Sequence, residues 1–353
     1  MDDTKIRLTI RSGGWVLILL GILILAMLTW ALAPAILRMV NPSPGDGTTI
    51  ESYEFDLSNL ALTRETIVPA MIHRDMSPVL TDPIMLSAQE TLIKNSNKRN
   101  QYLVSNDLVV GIELADEVRC YPLHVLNVHE VVNDTIGGVP IVVYWNWPSG
   151  HAAVFERTYE NRVINFGLSG LSGNGSMLLY ANDETEGDEQ LFSMMQAKSI
   201  TGSDTVLTPI THEVTSWGHW FADHPETSVL APNEHYKKRY RKGDPRTYFL
   251  NDTIYFPASP MPEDGVNPKT LVLAIATSKG YDVYNISELD SFADENHEVH
   301  ITIDGSPATI TVGNNPLWAT VKDSQGNQIQ SQRALWFAWY ANHPDAVISS
   351  PNH

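Results

Sequence analysis

The residues best suited to chemistry are concentrated in one stretch, which runs from Tyr121 to His151. This stretch contains three of the chain's twelve histidines, His124, His129 and His151. Imidazole nitrogens bind zinc and copper, so these three side chains are candidate metal ligands if the fold brings them together. The residues do not specify a cofactor. If a metal is bound, we predict that it is zinc or copper.

Two carboxylates in the same stretch are candidates for acid–base chemistry. The run 129–133, His-Glu-Val-Val-Asn, resembles the His-Glu-x-x-His helix of zinc proteases, but an asparagine takes the place of the second histidine. A conventional zinc-protease site is therefore not expected, although Glu130 could still act as a general base. On a helix, Glu130 and Asp134 would share one face and could bind a hard cation or exchange protons. The alternative is that His129 and Asp134 are buried structural groups at a turn.

Short apolar segments predict the elements that carry these residues. A hairpin is expected from strands at 108–114 and 118–121, followed by a helix over 122–131 and a central strand over 141–144. The glycine- and serine-rich stretch 166–176 lacks the lysine of a phosphate-binding loop and the spacing of a hydrolase nucleophile. We therefore expect it to be a flexible loop.

The pattern of the first hairpin recurs later in the chain. The hairpin and helix that begin at Leu108 resemble the segment that begins at Leu271, 163 residues later (271 minus 108). The tryptophan-rich segment 217–226 resembles 336–345, 119 residues later (336 minus 217). We therefore predict a mainly β, α+β fold in which an antiparallel β-rich unit with short helices is duplicated. The second copy has no counterpart of the pair 129–130.

The composition shifts along the chain give its expected organisation. It comprises a cytoplasmic tail (1–14), a transmembrane helix (15–37), a linker and N-terminal extension (38–100), a first β-rich unit (101–235) and a second, shorter one (236–353). The basic run 236–246 is expected to be an exposed loop between the two units.

The N-terminal region carries a candidate membrane segment. Residues 15–33 are 19 residues without a charge, which is long enough to cross a bilayer as a helix. Three basic residues precede this span and only Arg38 follows it closely, so the positive-inside rule predicts a single-pass cell-membrane protein with a cytoplasmic N-terminus and an extracytoplasmic C-terminal region. A cleaved signal peptide is the alternative, and Pro34 disfavours cleavage at the expected position.

The overall composition excludes some function classes. The chain has 41 acidic and 23 basic residues and a formal net charge of -18, which argues against a nucleic-acid partner. The single cysteine, Cys120, excludes an intramolecular disulfide and a cysteine-pair metal site, and we expect a buried thiol.

Several motifs resemble a known family. They are the segments 107–113, 121–123, 126–127, 129–140 and 166–171, together with Trp217 and the pair 224–225. These segments resemble the prokaryotic domain-of-unknown-function 3179 family over roughly residues 75–350, and 129–140 is the most specific part. The resemblance implies no established activity. Family members typically carry Cys-Pro-x-Cys after the strand that ends at Tyr144, whereas this divergent chain has no cysteine there. If those cysteines support redox or soft-metal chemistry in relatives, this chain cannot perform that chemistry in the same way.

Three functions follow from these patterns. The first is a ligand- or metal-binding module of the cell envelope, centred on His129, Glu130, Asp134 and His151, with the membrane, a small ligand or an envelope protein as partners. The second is a metal-dependent hydrolase-type enzyme in which Glu130 and His129 act with a metal-bound water. The third is a structural envelope protein whose site is vestigial.

Overall fold

The protein is described by a computed structural model that covers residues 14–40, 43–96, 101–159, 162–182, 189–202, 204–242 and 245–351. Helices account for 23% and strands for 37%, which confirms a β-rich fold with short helices and one N-terminal apolar helix. The chain divides into two units, Met1–Pro44 and Gly45–His353. We describe them separately.

The N-terminal unit contains the helix α1 (Gly14–Val40). Its segment Trp15–Ala33 has a mean hydropathy of 2.8, so it is long and apolar enough to cross a membrane or to serve as a signal sequence. The helix continues through Pro34 to Val40, so Pro34 does not end it as the residue type alone would suggest. The predicted cytoplasmic tail lies almost entirely outside the described residues.

The other α-helices of the described residues are short. They are α2 (Ala88–Asn95), α3 (Leu123–His129), α4 (Trp217–Asp223), α5 (Lys237–Lys242), α6 (Arg246–Phe249), α7 (Ile286–Leu289) and α8 (Trp336–Asn342). The strands are β1 (Ile67–Pro69), β2 (Leu80–Thr81), β3 (Met85–Leu86), β4 (Leu108–Leu114), β5 (Glu117–Pro122), β6 (Val131–Ile136), β7 (Val139–Asn146), β8 (His151–Glu156), β9 (Thr158–Tyr159), β10 (Arg162–Val163), β11 (Phe166–Gly173), β12 (Ser176–Ala181), β13 (Leu191–Ser193), β14 (Lys198–Ser199), β15 (Glu213–Ser216), β16 (Ser228–Leu230), β17 (Leu271–Thr277), β18 (Gly280–Asn285), β19 (Glu298–Ile303), β20 (Ser306–Asn314), β21 (Leu317–Asp323) and β22 (Ser331–Leu335).

A seven-stranded sheet, in the order β18-β17-β22-β8-β7-β6-β2, is the centre of the body. Its strand β7 is buried on both faces, as the sequence predicts for a central strand. Val143 and Trp145 pack against the five-stranded sheet β15-β4-β5-β16-β3. Val142 and Tyr144 pack against the second five-stranded sheet, β1-β11-β12-β13-β14. Two apolar cores therefore lie on opposite sides of β7. The body also contains the sheets β19-β20-β21 and β9-β10.

The predicted boundary between the two β-rich units falls inside this body. Strands from both sides of residue 235 share the seven-stranded sheet, because β22 pairs with β8. The division into units 101–235 and 236–353 stays a prediction.

The two similar segments have the same strand register. In the first, Leu108 of β4 pairs with Ser216 of β15. In the second, Leu271 of β17 pairs with Leu335 of β22. These are the positions that correspond at the offsets of 163 and 119 residues (271 minus 108; 335 minus 216).

The two tryptophan-rich helices that follow β15 and β22 are also alike. The ring centroids of Trp220 and His224 lie 4.0 Å apart, and those of Trp339 and His343 lie 4.1 Å apart. In each helix the histidine backbone N–H donates to the tryptophan carbonyl, at 2.9 Å. Descent from one duplicated unit stays a prediction, which this correspondence supports.

Several local predictions are confirmed, and two are wrong. The hairpin of β4 and β5 and the buried Cys120 are confirmed. The helix after the hairpin is shorter than predicted, because Glu130 has φ 59° and ends α3 at His129. The β-branched residues that follow continue as strand β6.

The two wrong predictions concern expected loops. The stretch 166–176 forms the buried strand β11 and the start of β12, with an irregular register in which Gly170 has φ 79°. Its small residues allow close packing rather than mobility. In the basic run 236–246, the described residues form the helix α5 and the start of α6.

Candidate functional site

His129 is held by hydrogen bonds at both of its ring nitrogens. Its Nδ1 lies 2.6 Å from the Pro78 carbonyl oxygen, which can only accept, so Nδ1 carries the proton. Its Nε2 lies 2.8 Å from the Tyr240 hydroxyl and accepts from it. Burial lowers the pKa of His129 and favours this neutral form. The ring therefore joins α3 to α5 and presents no free lone pair to a metal.

Glu130 is a buried carboxyl at a strained backbone position. Its φ of 59° is unusual for a residue other than glycine and is imposed by the helix-to-strand transition. The carboxylate accepts only a long hydrogen bond, 3.4 Å, from the Asn146 amide. Burial raises its pKa to about 7. A carboxyl that is half-protonated near neutral pH can exchange protons, so the catalytic role of Glu130 stays a prediction.

Asp134 lies on β6 rather than on a helix, so it does not share a helix face with Glu130. It accepts hydrogen bonds from Arg119 Nη1 at 2.9 and 3.0 Å and from the Tyr121 hydroxyl at 2.6 Å. The Thr135 backbone N–H is a further donor, at 2.7 Å. These contacts match the structural alternative that the sequence left open, although no observation tests its predicted catalytic role.

His151 is buried on the face of β8 opposite to the neighbouring Ala152. Its Nε2 lies 2.8 Å from the Gln332 side-chain oxygen and therefore donates to it. Its Nδ1 is buried without a hydrogen-bond partner. Burial lowers its pKa to about 3, so the ring is neutral.

The three histidines are not gathered into one coordination shell. Across the described residues, one group of three His, Cys, Asp or Glu side chains has its ligand atoms within 4.8 Å of one another, and it consists of Asp294, Glu298 and His300. His124, His129 and His151 are not in it. The prediction of a shared zinc or copper site at these histidines is not supported by their positions.

His124 instead lines a cleft of about 1310 Å³. Its ring lies between those of Tyr102 and Tyr240, with centroids at 5.5 and 6.5 Å. Tyr240 is the residue that binds His129, so the predicted site residue His129 positions a wall of the cleft. Asn127, one turn after His124, also lines it and accepts a hydrogen bond of 2.8 Å from the Trp145 indole.

The cleft is lined by both of the similar segments. Four pairs of positions that correspond at the offset of 163 residues face it: Asn106 and Lys269, Asp107 and Thr270, Leu108 and Leu271, and His124 and Ser287. The cleft therefore lies where the two segments meet, and the chemical groups on its two sides differ.

The charge of the cleft is opposite to that of the chain. Five basic side chains line it, against two acidic ones, Asp107 and Glu234. The basic residues are Lys94, Lys237, Arg246, Lys269 and Arg333. The whole chain has an excess of 18 negative charges. A basic cleft in an acidic protein attracts anions selectively. We call this feature the basic cleft.

Arg333 lies in the basic cleft without an anionic partner. It is half-buried, and its Nε and Nη1 atoms are buried with no hydrogen-bond acceptor. No ion pair joins it to another described residue. Burial lowers the pKa of its guanidinium to about 10, so it still carries its charge at neutral pH. Such an uncompensated buried cation is costly and rare in folded proteins.

Sheet register explains how Arg333 reaches the cleft. Ala152 pairs with Trp145 on one side and with Arg333 on the other. Residues directly opposite one another project from the same face, so these three side chains form a row. Because Ala152 is small, the guanidinium extends towards Trp145, and its carbon lies 5.9 Å from the ring.

The sequence reasoning missed Arg333 and Lys269. One signal could have found Arg333: it is a charged residue at the centre of the short strand β22, which leads into an apolar helix. Lys269 had no such signal, because it lies in a loop and reaches the cleft only through the tertiary fold.

Comparison with known proteins identifies a family for this chain. No curated protein and no solved structure matches the chain. The model of the family described as "Protein of unknown function (DUF3179)" matches residues 74–346, a range that contains α3, the basic cleft and both similar segments. The chain therefore belongs to this family of proteins of unknown function.

Proposed function

We propose that the protein is a binding module for an anionic small molecule, which it holds in the basic cleft. The observation that carries this proposal is Arg333, which is half-buried, has two buried nitrogen donors without a hydrogen-bond partner and forms no ion pair with a described residue. An anion that accepts from these nitrogens would satisfy them and neutralise the charge. No metal is needed for this function.

The surroundings of Arg333 fit such a role. Trp145 offers a flat apolar surface, and Asn127 and His124 offer hydrogen-bonding groups along the same wall. A cleft in which apolar side chains stand beside convergent polar groups is suited to a small molecule that has both kinds of surface. The excess of basic side chains would also increase the association rate of an anion.

We further propose that α1 stays in the mature protein as a single-pass anchor. The basic residues before it favour a cytoplasmic N-terminus, which would place the basic cleft on the outer side of the cell membrane. In this form the protein would present its ligand site to the periplasm or cell exterior.

Thermal unfolding with a panel of small organic carboxylates, phosphate esters and sulfonates tests the binding function. We expect at least one class to raise the melting temperature of the full-length protein, because a ligand that binds only the folded state stabilises it. Arg333→Gln should abolish this shift. Arg162→Gln removes a basic group from an exposed strand outside the cleft and should keep it. The proposal fails if no anion class stabilises the protein, or if both variants respond like the wild type.

A further inference from the structure

The basic cleft is larger and more apolar than a simple anion requires. Its volume of about 1310 Å³ exceeds the roughly 300–1,000 Å³ of common ligand pockets. A phosphate or acetate ion would fill a small part of it. The remaining space must accommodate either water or the rest of a larger ligand.

Leucine side chains from five different elements line this space. They are Leu108 of β4, Leu123 of α3, Leu271 of β17, Leu317 of β21 and Leu335 of β22. Leu108, Leu271 and Leu317 are half-buried, so part of each side chain stays accessible within the cleft. Water on an aliphatic wall is unfavourable, by about 25 cal/mol for each Å². The wall is therefore suited to hydrocarbon.

The basic groups of the cleft are not equivalent. The Lys269 ammonium already donates to the Tyr248 and Asn251 carbonyl oxygens, at 2.6 and 2.8 Å. Lys237 pairs with Glu234 at 3.2 Å. Arg333, in contrast, has no acceptor at its Nε and Nη1 atoms. The cleft thus combines a guanidinium that has two unpaired donors with several leucine side chains, of which Leu271 and Leu335 are paired across β17 and β22.

We propose that the ligand is an anionic amphiphile, with its charged head at Arg333 and an aliphatic chain along the leucine wall. This inference rests on the proposed binding function and specifies its ligand class. Carboxylate and phosphate heads are both suited to a guanidinium. The chemistry is shared by free fatty acids and by anionic phospholipids, and the experiment distinguishes these two sources.

The test is a titration of the full-length protein with straight-chain carboxylates of increasing length. The protein is held in nanodiscs of zwitterionic phospholipid, and titrations of empty nanodiscs are subtracted. Each added methylene that enters the leucine wall should contribute about 0.8 kcal/mol, which is roughly a fourfold increase in affinity. Arg333→Gln should weaken every member of the series by a similar factor and leave the increase per methylene unchanged.

A variant of the leucine wall distinguishes the contribution of the aliphatic chain to affinity from that of the charged head. Leu317→Asn should reduce the increase per methylene while the shortest carboxylates bind as to the wild type. Leu271→Ala serves as a second variant if Leu317→Asn fails to fold. If short carboxylates bind through Arg333 but affinity does not rise with chain length, the amphiphile inference is wrong and the proposed function stands. If no carboxylate binds and Arg333→Gln changes nothing, both fail.

A second arm identifies the source of the amphiphile. The same titration is repeated in nanodiscs that contain phosphatidylglycerol. If the cleft takes an anionic phospholipid from the bilayer, the apparent affinity for carboxylates should fall by competition in the wild type. If the ligand is a free fatty acid, the affinities should be the same in both lipid compositions. Either result supports an anionic amphiphile and selects its source.

Discussion

Some single residues lower the stability of the folded protein, and Arg333 is the clearest example. The two buried nitrogens of its guanidinium lose their hydration and gain no protein acceptor in return. In the ligand-free protein, Arg333→Met should therefore increase the free energy of unfolding, by about 1–3 kcal/mol. Urea denaturation monitored by tryptophan fluorescence would measure this change, with Arg162→Met as the matched exposed control. A loss of stability in Arg333→Met would show that the guanidinium has a structural partner.

Two buried carboxyl groups make stability depend on pH. Burial raises the pKa of Glu130 and of Glu213 from 4.5 to about 7. In the unfolded chain these groups lose their protons near pH 4.5, whereas in the folded protein they keep them up to about pH 7. Each group therefore lowers the free energy of unfolding as pH rises through this window, by on the order of 3 kcal/mol.

Replacement of these carboxyl groups by amides tests this pH dependence. Glu213→Gln removes a carboxylate whose two oxygens have no hydrogen-bond partner, so it should stabilise the protein above pH 7 and have little effect at pH 4.5. Glu130→Gln should behave in the same way. Chemical denaturation across this pH range measures the difference from wild type, and exposed Glu65→Gln should show none. A constant difference at all pH values would contradict the expectation.

The sequence identified reactive residue types but not their partners. His129 was singled out as a metal ligand, yet its nitrogens are held by Pro78 and Tyr240, which are 51 and 111 residues away. Arg333 was not singled out, because what distinguishes it is the lack of an acceptor nearby. Both properties depend on tertiary contacts, which residue type and spacing do not contain.

At the scale of elements, periodicity predicted most of what positions the site. The β4–β5 hairpin, the following helix and the central strand β7 all follow from apolar patterning and turn residues. Apolar patterning and turn residues do not predict where α3 ends. Its apolar pattern continues beyond Glu130, where a positive φ turns the chain from α3 into β6.

One glycine is required by the packing of a helix on a strand. A Cβ atom at Gly111 of β4 would overlap the ring of Trp220 of α4, which is fully buried. The corresponding position in the second segment is Ala274 (111 plus 163). Gly111→Ala should lower the free energy of unfolding by about 1–3 kcal/mol through overpacking. Ala274→Gly should cost at most about 1 kcal/mol, through added backbone entropy.

Thermal denaturation of both glycine–alanine variants measures this asymmetry. Gly111→Ala should have the clearly lower melting temperature. Equal melting temperatures would mean that α4 can move away from β4 without a penalty.

At the scale of the whole molecule, the fold class and the apolar N-terminal helix were predictable. A segment such as Trp15–Ala33 is recognised from hydropathy alone. The basic cleft was not predictable, because its lining residues range from Lys94 to Leu335 and converge only in the folded body. The similarity of the two segments is a partial indication of where the cleft lies, since equivalent positions of the segments face it.

The anchor can be tested on the intact chain. When the protein is produced in a bacterial host, we expect it to sediment with membranes and to resist extraction with alkaline carbonate. Deletion of residues 1–40 should release it to the soluble fraction. Sequencing of the N-terminus of the membrane-bound form should read residues before Trp15. A mature N-terminus beyond Ala33 would contradict the anchor and show a cleaved signal peptide.

The pairing of β22 with β8 has a mechanical consequence. Arg333 and Ala152 form the single register pair between these strands, whereas β17 and β22 share five pairs and β7 and β8 share six. The joint between β8 and β22 therefore has fewer register pairs than the joints on either side of it, and Trp145 and Arg333 lie on opposite sides of this joint. A ligand held by both side chains would bridge this joint and restrict the motion of β8 relative to β22. Amide hydrogen exchange in β8 and β22 would then slow on binding, and the stiffness of the sheet would report whether the cleft is filled.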